Sequence, residues 1–409
     1  GLLERRSDIQ HFCCATKMLD LPYHESGMTD DEKFIRRALR LTLRGRGRTS
    51  PNPCVGAVAV LNGEIVGEGW TQTKPGVGIH AEGEAIRKAG DKAKGATLNV
   101  TMEPCSHTRR PDGTQRIPCT HRIIEAGVAR VVCCCVDPNP LVNGQGVRIL
   151  QEAGIQVEVG LMQEQAEETH AAFFKHQLTG LPLVTHKAAL SLDGKISSTR
   201  NAPTGITGAE ARAAVHRLRD QVDAILVGVG TVLADNPMLT TRLPGGKNGR
   251  SPIVVIFDTH LRTPPDAHIV RPGTIWVTTR SNTIEKQEPS EPPITGGQGG
   301  KALDAKDIIA VSPDAQGRPD VTEALRALAE RGLINVLLES GGALAASFWK
   351  AKLVDRALFF VAPIILGGAD APTPIDGAGL AKSVRLTKTR VRRYGEDTAI
   401  FGIVNWEGQ

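Results

Sequence analysis

From Asp30 onward, short β-prone runs alternate with stretches of helical period, and this alternation limits the folds open to the chain more than any other feature. "TDDEKFIRRALRLTLRG" places Phe34, Ile35, Ala38, Leu39 and Leu41 at helical spacing behind Thr29 or Asp30 as N-cap, which predicts a helix ending near Gly45. "CVGAVAVLNGEIVGEGW" reads as two strands joined by an Asn62-Gly63 turn, a strong hairpin signal. A helix after His80, a strand "TLNVTM", a helix "THRIIEAG", a strand "RVVCCCV", a helix "GVRILQEAG" and a strand "IQVEVG" follow. Such alternation buries a sheet between helical layers.

At 409 residues the chain is longer than one core usually serves, so two domains are expected. "QAEETHAAFFKHQLTGLP" reads as one helix closed by Gly180 and Pro182, which marks the boundary. Strands then resume at "LVTHKAALSL", "DAILVGVG", "PIVVIFD", "TIWVTT", "INVLLES" and "RALFFVAPIIL", with helices over 209–220 and at "VTEALRALAERG". The stretch "SNTIEKQEPSEPPITGGQGGKALD" is rich in Gly, Pro and charge and is expected to be an exposed loop. The expected fold class is α/β, two three-layer α/β/α domains over 29–178 and 181–409. Residues 1–28 lack a starting Met and a continuous apolar segment, and are expected to form a disordered arm.

A hydrophobic fraction of 40% and a charged fraction of 23% are ordinary for a water-soluble protein. No apolar run approaches the roughly 18 residues of a membrane span, so no membrane partner is expected. The net charge of +5 is spread along the chain, which suits anionic small molecules at least as well as nucleic acid. Among eight cysteines, Cys133, Cys134 and Cys135 are consecutive, and alternating strand faces prevent them from sharing one ion. Irregular cysteine spacing points away from a disulfide framework and toward a reducing, cytoplasmic location.

"GIHAEGEAI" sets His80 and Glu82 two apart where a helix begins, a pattern that is common by chance. "MEPCSHTRRPDGTQRIPCTH" follows, with Cys105 at a strand end and Cys119 at a helix start. His80, Cys105 and Cys119 are a suitable set of zinc ligands that leaves one position open for water, as a catalytic site requires. Zinc there brings the pKa of water from about 15.7 toward about 7, and Glu82 is placed to carry a proton without binding the metal.

H-x-E followed by P-C and a second Cys resembles the cytidine-deaminase signature. More closely, "TSPNPCVGAVAV", "GEIVGEGW", "HAE", "EPCSH", "AGVARVV" and "DPNP" resemble the deaminase half of the bifunctional riboflavin-biosynthesis deaminase/reductase, from about Asp30 to Gly160. "LSLDGKI", "VDAILVGVGTVLADNP", "LTTR" and "LLESGGALAASF" resemble its reductase half over roughly Leu181 to Trp406. The resemblance implies a cytidine-deaminase-like domain followed by a dihydrofolate-reductase-like one. It implies hydrolytic deamination of a phosphoribosylated diaminopyrimidinone, then NADPH-dependent reduction of its ribosyl group to ribityl.

Carried over residue by residue, the resemblance gives Zn2+ to His80, Cys105 and Cys119, proton transfer to Glu82, and substrate contacts to Asn52, Ser106 and His107. In the second half Ala189, Thr231, Asp235, Gly341 and Gly342 would hold NADPH, while Arg219, Leu239, Arg242 and Glu339 would line the substrate, the arginines reading its phosphate. "ESGGALA" joins strand to helix with small residues, so backbone N–H groups can approach a phosphate. Gly228-x-Gly230 lacks the third glycine of a Rossmann turn, Leu233 standing there. The partner is a small phosphorylated pyrimidine, with a homo-oligomer expected and no nucleic acid. The chain departs from the family at Thr71, Gly83, Glu84 and Gly205 and in the long loop 108–118. A nucleic-acid or free-base deaminase with an inactive reductase half is the alternative, since it shares the zinc constellation.

Overall fold

The structure, a computed structural model, describes residues 27–74, 77–109, 113–139, 142–199, 205–246, 249–280, 305–377 and 379–406. The loop expected over 281–304 and all but the last two residues of the arm expected over 1–28 lie outside the described residues. The chain divides into two compact units, one running to Gly180 and the other beginning at Leu181.

In the first unit the helix Asp30–Thr42 starts with a capping box. Glu32 N donates to Thr29 Oγ1 at 3.3 Å, and Thr29 N donates to Glu32 Oε2 at 2.7 Å. Strands β1 (Gly56–Leu61), β2 (Glu64–Trp70), β3 (Gln72–Lys74) and β4 (Val77–Ile79) lead to the helix Ala81–Ala89. Then come β5 (Thr97–Val100), the helix Cys119–Glu125, β6 (Arg130–Cys133), the helix Gln145–Glu152 and β7 (Gln156–Val159). The main sheet has five strands in the order β2-β1-β5-β6-β7, with β1 antiparallel to its neighbours and β5, β6 and β7 parallel. Asn62 and Gly63 both take positive φ, 53° and 81°, as a two-residue hairpin of type I′ demands.

Leu98, Val100, Val131, Ala81 and Ala85 meet in the core of this unit. The helix Ala81–Ala89 lies so close on β2 that a Cβ at Gly67 or Gly69 would overlap the carbonyl oxygens of Ala85 or Ala81. Glycine at these positions of β2 is therefore what lets the helix that follows His80 sit down on the sheet. Cys133, Cys134 and Cys135 are buried free thiols, each pushed up from its ordinary pKa first of all by burial. The single helix expected over 165–180 is two, Gln163–Thr169 and Ala171–Thr179. They break at His170, whose buried imidazole sits 3.2 Å from Thr101 Oγ1.

The second unit carries β8 (Leu183–Leu190), the helix Ala209–Arg219, β9 (Ala224–Gly228), the helix Val229–Asp235, β10 (Ile253–Phe257), β11 (Ile275–Thr279) and β12 (Ile308–Val311). The helix Val321–Glu330, β13 (Asn335–Leu338), the helix Gly342–Lys350, β14 (Arg356–Val361), β15 (Arg385–Tyr394) and β16 (Asp397–Asn405) complete it. Its nine strands run β12-β11-β10-β9-β13-β8-β14-β16-β15, parallel through β14 and antiparallel at β16 and β15. The closing hairpin was not anticipated from sequence. Its outer strand, "RLTKTRVRRY", is charged and largely exposed, so the apolar alternation that betrays a half-buried strand is weak.

Among the described residues, His170 is buried in the first unit and His186 in the second. Burial pushes His170 and His186 down to about 3, and Trp349 Nε1 donates to His186 Nδ1 at 2.9 Å. Folding keeps these rings neutral while the unfolded chain protonates them near the ordinary value of 6.5. The stability they hold is complete above that value and is lost as the pH falls from 6.5 toward 3. Thermal midpoints are therefore expected to decline between pH 6.5 and 4.5, and the decline should flatten in His170→Gln/His186→Gln.

Candidate functional site

His80 is the N-cap of the helix Ala81–Ala89, Cys105 follows the end of β5, and Cys119 opens the helix Cys119–Glu125 behind Pro118. These segments are brought together because β1 pairs with both β2 and β5, while the helix on β2 packs against the helix Cys119–Glu125. The ligand atoms of His80, Cys105 and Cys119 all lie within 4.8 Å of one another. Cys105 Sγ is 3.8 Å from His80 Nδ1, and Cys119 N donates to Cys105 Sγ at 3.4 Å. The contact with Cys119, opposed by burial and aided by His80, holds the Cys105 thiol well below its ordinary range. Cys119 is held well above its ordinary range by the same contact and by burial.

Glu82 occupies the first turn of that helix, and its side chain is 2% exposed. Oε2 is buried without a hydrogen-bond partner, and burial raises the carboxyl above its ordinary pKa. A carboxyl buried at this cost beside Cys119, with one oxygen unspent, is chemically able to carry a proton. The nitrogen, two sulfurs and unspent carboxylate oxygen fit zinc with an open coordination position.

The long loop carries a residue that sequence reasoning missed. Arg109 and Gln115 pair as an antiparallel bridge, and Arg116 N donates to Thr108 O at 2.8 Å, so the two flanks of the loop are held together. Arg116 Nη2 then lies 2.9 Å from both His80 Nε2 and Cys105 Sγ, and Nη1 lies 3.1 Å from His107 Nε2. A basic residue three positions before Cys119 was the available signal. Ser106 is half-buried beside Cys105, His107 is exposed, and Asn52 is exposed in a turn closed by its N–H on Thr49 O at 2.9 Å. Thr71 is a structural departure, since its hydroxyl accepts from Val55 N at 2.9 Å where β1 begins.

In the second unit the neighbouring parallel strands β9 and β13 end in glycine-bearing turns into helices, at Gly228 and at Gly341. From these two strands the chain moves to opposite sides of the sheet, the kind of switch point where open α/β sheets form a crevice. Gly341 N donates to Thr231 Oγ1 at 3.1 Å, tying the two turns together. A Cβ on Gly342 would overlap Thr373 O and crowd Asp376, so its smallness serves the chain's own 373–376 segment. Ala189 is half-buried on β8, beside β13, and Asp235 is exposed at the last position of the helix Val229–Asp235.

Glu339 follows β13. Arg219 Nε donates to its Oε1 at 2.8 Å and Arg219 Nη2 to its Oε2 at 2.9 Å, while Lys187 Nζ adds a contact at 3.4 Å. The paired edge that was expected to read a substrate phosphate is thus turned to Glu339, because a buried carboxylate needs a partner. Arg219 Nη1 reaches Thr240 O at 3.2 Å. Leu239 is buried with φ 45°, and Arg242 is exposed with Nη1 on Thr240 Oγ1 at 3.1 Å. Gly205 is exposed, and 201–204 lie outside the described residues.

Residues 28–135 match the family model described as the cytidine and deoxycytidylate deaminase zinc-binding region, and 182–400 match the RibD C-terminal domain. The chain is 40% identical to riboflavin biosynthesis protein RibD of Bacillus amyloliquefaciens, covering 91% of this chain and 96% of the relative. It is 39% identical to the RibD of Escherichia coli K12, over 90% and 98%. Among solved structures, Acinetobacter baumannii RibD superposes with a TM-score of 0.77 at 31% identity, over 92% of this chain and 99% of that one. A diaminohydroxyphosphoribosylaminopyrimidine deaminase/5-amino-6-(5-phosphoribosylamino)uracil reductase from Thermotoga maritima gives 0.74 at 30%, with the same coverage. Two domain models in series and relatives matched along nearly their whole length lead to one assignment: the chain belongs to the RibD family of riboflavin-biosynthesis proteins, bifunctional enzymes with a zinc-binding deaminase domain followed by a reductase domain.

Proposed function

We propose that the 29–178 domain hydrolyses the amino group of a phosphoribosylated diaminopyrimidinone, and that the 181–409 domain then reduces the ribosyl group of the product to ribityl with NADPH. The observation that carries the first step is the gathering of His80, Cys105 and Cys119 around the buried, unspent carboxyl of Glu82. Zinc held by those three side chains supplies Lewis acidity that makes water nucleophilic at neutral pH. Glu82 takes a proton from the attacking water and delivers one to the departing amine, so that water replaces the amino group and ammonia leaves. Ser106 and His107 border the site on the Cys105 side, with Arg116 beside His107, and with Asn52 they are assigned to the substrate.

In the reductase, bound NADPH supplies the hydride. Thr231, Asp235, Ala189 and the Gly341-Gly342 turn are assigned to its binding, supported by the hydrogen bond that joins the two strand-end turns. Arg219, Leu239, Arg242 and Glu339 are assigned to the substrate. Exposed Arg242 is the better phosphate reader, while Arg219 holds Glu339 and the 240 carbonyl. Orientation of the nicotinamide against the ribosyl carbon is assigned the main part of this step.

A cytoplasmic enzyme accords with six cysteines that are all free thiols among the described residues. A homo-oligomer accords with the long edge strand β15, where Val391 is 68% exposed. A nucleic-acid deaminase would have no use for the second domain.

The test follows ammonia and NADPH separately with purified protein and the phosphoribosylated pyrimidine. A chelator is expected to stop ammonia release and to leave NADPH oxidation intact when deaminated substrate is supplied. Ammonia release that survives complete zinc removal would refute the metal assignment, and no NADPH oxidation with either substrate would refute the second activity.

A further inference from the structure

We infer that Arg271 is a positioning residue of the reductase, holding the 236–242 segment in the shape that presents Leu239 and Arg242 to substrate. This rests on the reading above of Leu239 and Arg242 as substrate-lining residues. Two residues of that segment, Asn236 at φ 40° and Leu239 at φ 45°, sit in the left-handed region. For leucine that conformation is strained, because Cβ crowds its own backbone, so contacts from outside the segment must hold it.

His216 Nδ1 lies 3.1 Å from Thr240 O, and the contacts around Asn236, Met238 and Leu239 come from one short stretch before β11. Arg271 Nη1 donates to Met238 O at 2.8 Å, and Nη2 donates to Pro252 O at 3.1 Å and Leu239 O at 3.4 Å. His268 N donates to Asn236 Oδ1 at 2.9 Å, and its Nδ1 lies 2.9 Å from Asn236 O. Arg219 takes the next carbonyl, Thr240 O, so three successive carbonyls are turned toward two guanidinium groups. A carbonyl row drawn to one side fixes the peptide planes on either side of Leu239.

Arg271 is itself anchored. Its carbonyl accepts from Thr274 N at 3.0 Å across a Pro272-Gly273 turn with Gly273 at φ 84°, and its N–H donates to Thr274 Oγ1 at 3.2 Å. The buried Thr274 hydroxyl continues to Ile269 O at 2.7 Å. The planar fork therefore starts from a rigid base and reaches carbonyls of two segments, which a lysine ammonium on a flexible stem does less well. Arg271 needs no contact with substrate to act in this way; it sets the affinity of residues that do make contact.

The experiment compares Arg271→Ala, Arg271→Lys and Arg242→Ala in the full chain, following NADPH oxidation with deaminated substrate, NADPH affinity and ammonia release. For Arg271→Ala the KM for deaminated substrate is expected to rise about tenfold or more, as loss of charge-assisted bonds would produce. The expected kcat, NADPH affinity and ammonia release stay near those of the parent. Arg271→Lys should fall between, and millimolar guanidinium should restore the KM of the alanine variant. Unchanged KM in Arg271→Ala and Arg271→Lys, beside a raised KM in Arg242→Ala, would overturn the inference and leave the substrate reading standing. Equal losses in KM, kcat and NADPH affinity without guanidinium rescue would reduce Arg271 to a general stabiliser and also overturn it. Unchanged KM in Arg242→Ala would overturn the substrate reading, and the inference with it.

Discussion

Glu82→Gln is expected to lower the rate of ammonia release by about 10²–10⁴-fold, the usual worth of a positioned acid-base group, while bound zinc and NADPH oxidation with deaminated substrate stay at parental levels. Glutamine keeps the shape of the side chain in its 2% exposed pocket but cannot exchange a proton. A packing role predicts the opposite pattern, with activity kept and stability lost. Burial raises the Glu82 carboxyl and disfavours its charged form, so the amide should leave the thermal midpoint of the metal-free protein unchanged or higher. A variant that releases ammonia at the parental rate would remove Glu82 from the mechanism, even if the three ligands still bind zinc.

The second large effect is expected at Glu339. Its carboxylate is 7% exposed and faces Arg219 and Lys187, which are 12% and 14% exposed. Burial alone would raise its pKa, yet the two cations hold it at about 2. Glu339→Ala strands both cations in the interior, which costs about 3–5 kcal/mol. At about 2–4 °C per kcal/mol for a domain of this size, the midpoint of the reductase should fall by roughly 10 °C or more. The deaminase unit should keep its own transition. The pH dependence has a definite sign. A depressed carboxylate adds stability that is present above its unfolded value of 4.5 and is lost as the pH falls toward 2, and Glu339→Gln should remove that part of the acid limb. Replacing Arg219, Lys187 and Glu339 together by apolar residues should recover much of the loss, since a buried ionic group seldom outperforms good packing. A midpoint for Glu339→Ala within about one degree of the parent would show that water reaches and screens this group despite its burial.

Glu82 and Glu339 also mark how far the sequence could be read. Glu82 stands two positions from His80 at a helix start, so its place could be inferred from spacing within one turn. The partners of Glu339 lie 120 and 152 residues away, and the fork of Arg219 could not be assigned to it from the sequence. The same distinction explains the elements. The Asn62-Gly63 hairpin and the alternating strands and helices were legible because turn chemistry and apolar period are local. The hairpin of β15 and β16 was not, because its exposed outer strand carries charges in place of an apolar repeat. The break at His170 was hidden because a buried contact with Thr101, 69 residues away, decides it.

By itself the sequence determined the succession of elements, the chemical character of His80, Glu82, Cys105 and Cys119, and the likeness of both halves to one enzyme family. Tertiary structure alone decided that the ligand atoms of His80, Cys105 and Cys119 meet within 4.8 Å, that Arg116 enters their company, and that Arg271 grips a strained turn. The physical reason is range. Spacing and turn preference act over a few residues and leave a mark in the order of amino acids, whereas contacts across 11 to 36 residues in the metal site, and more than 100 in the reductase, arise only when the sheet brings distant segments together.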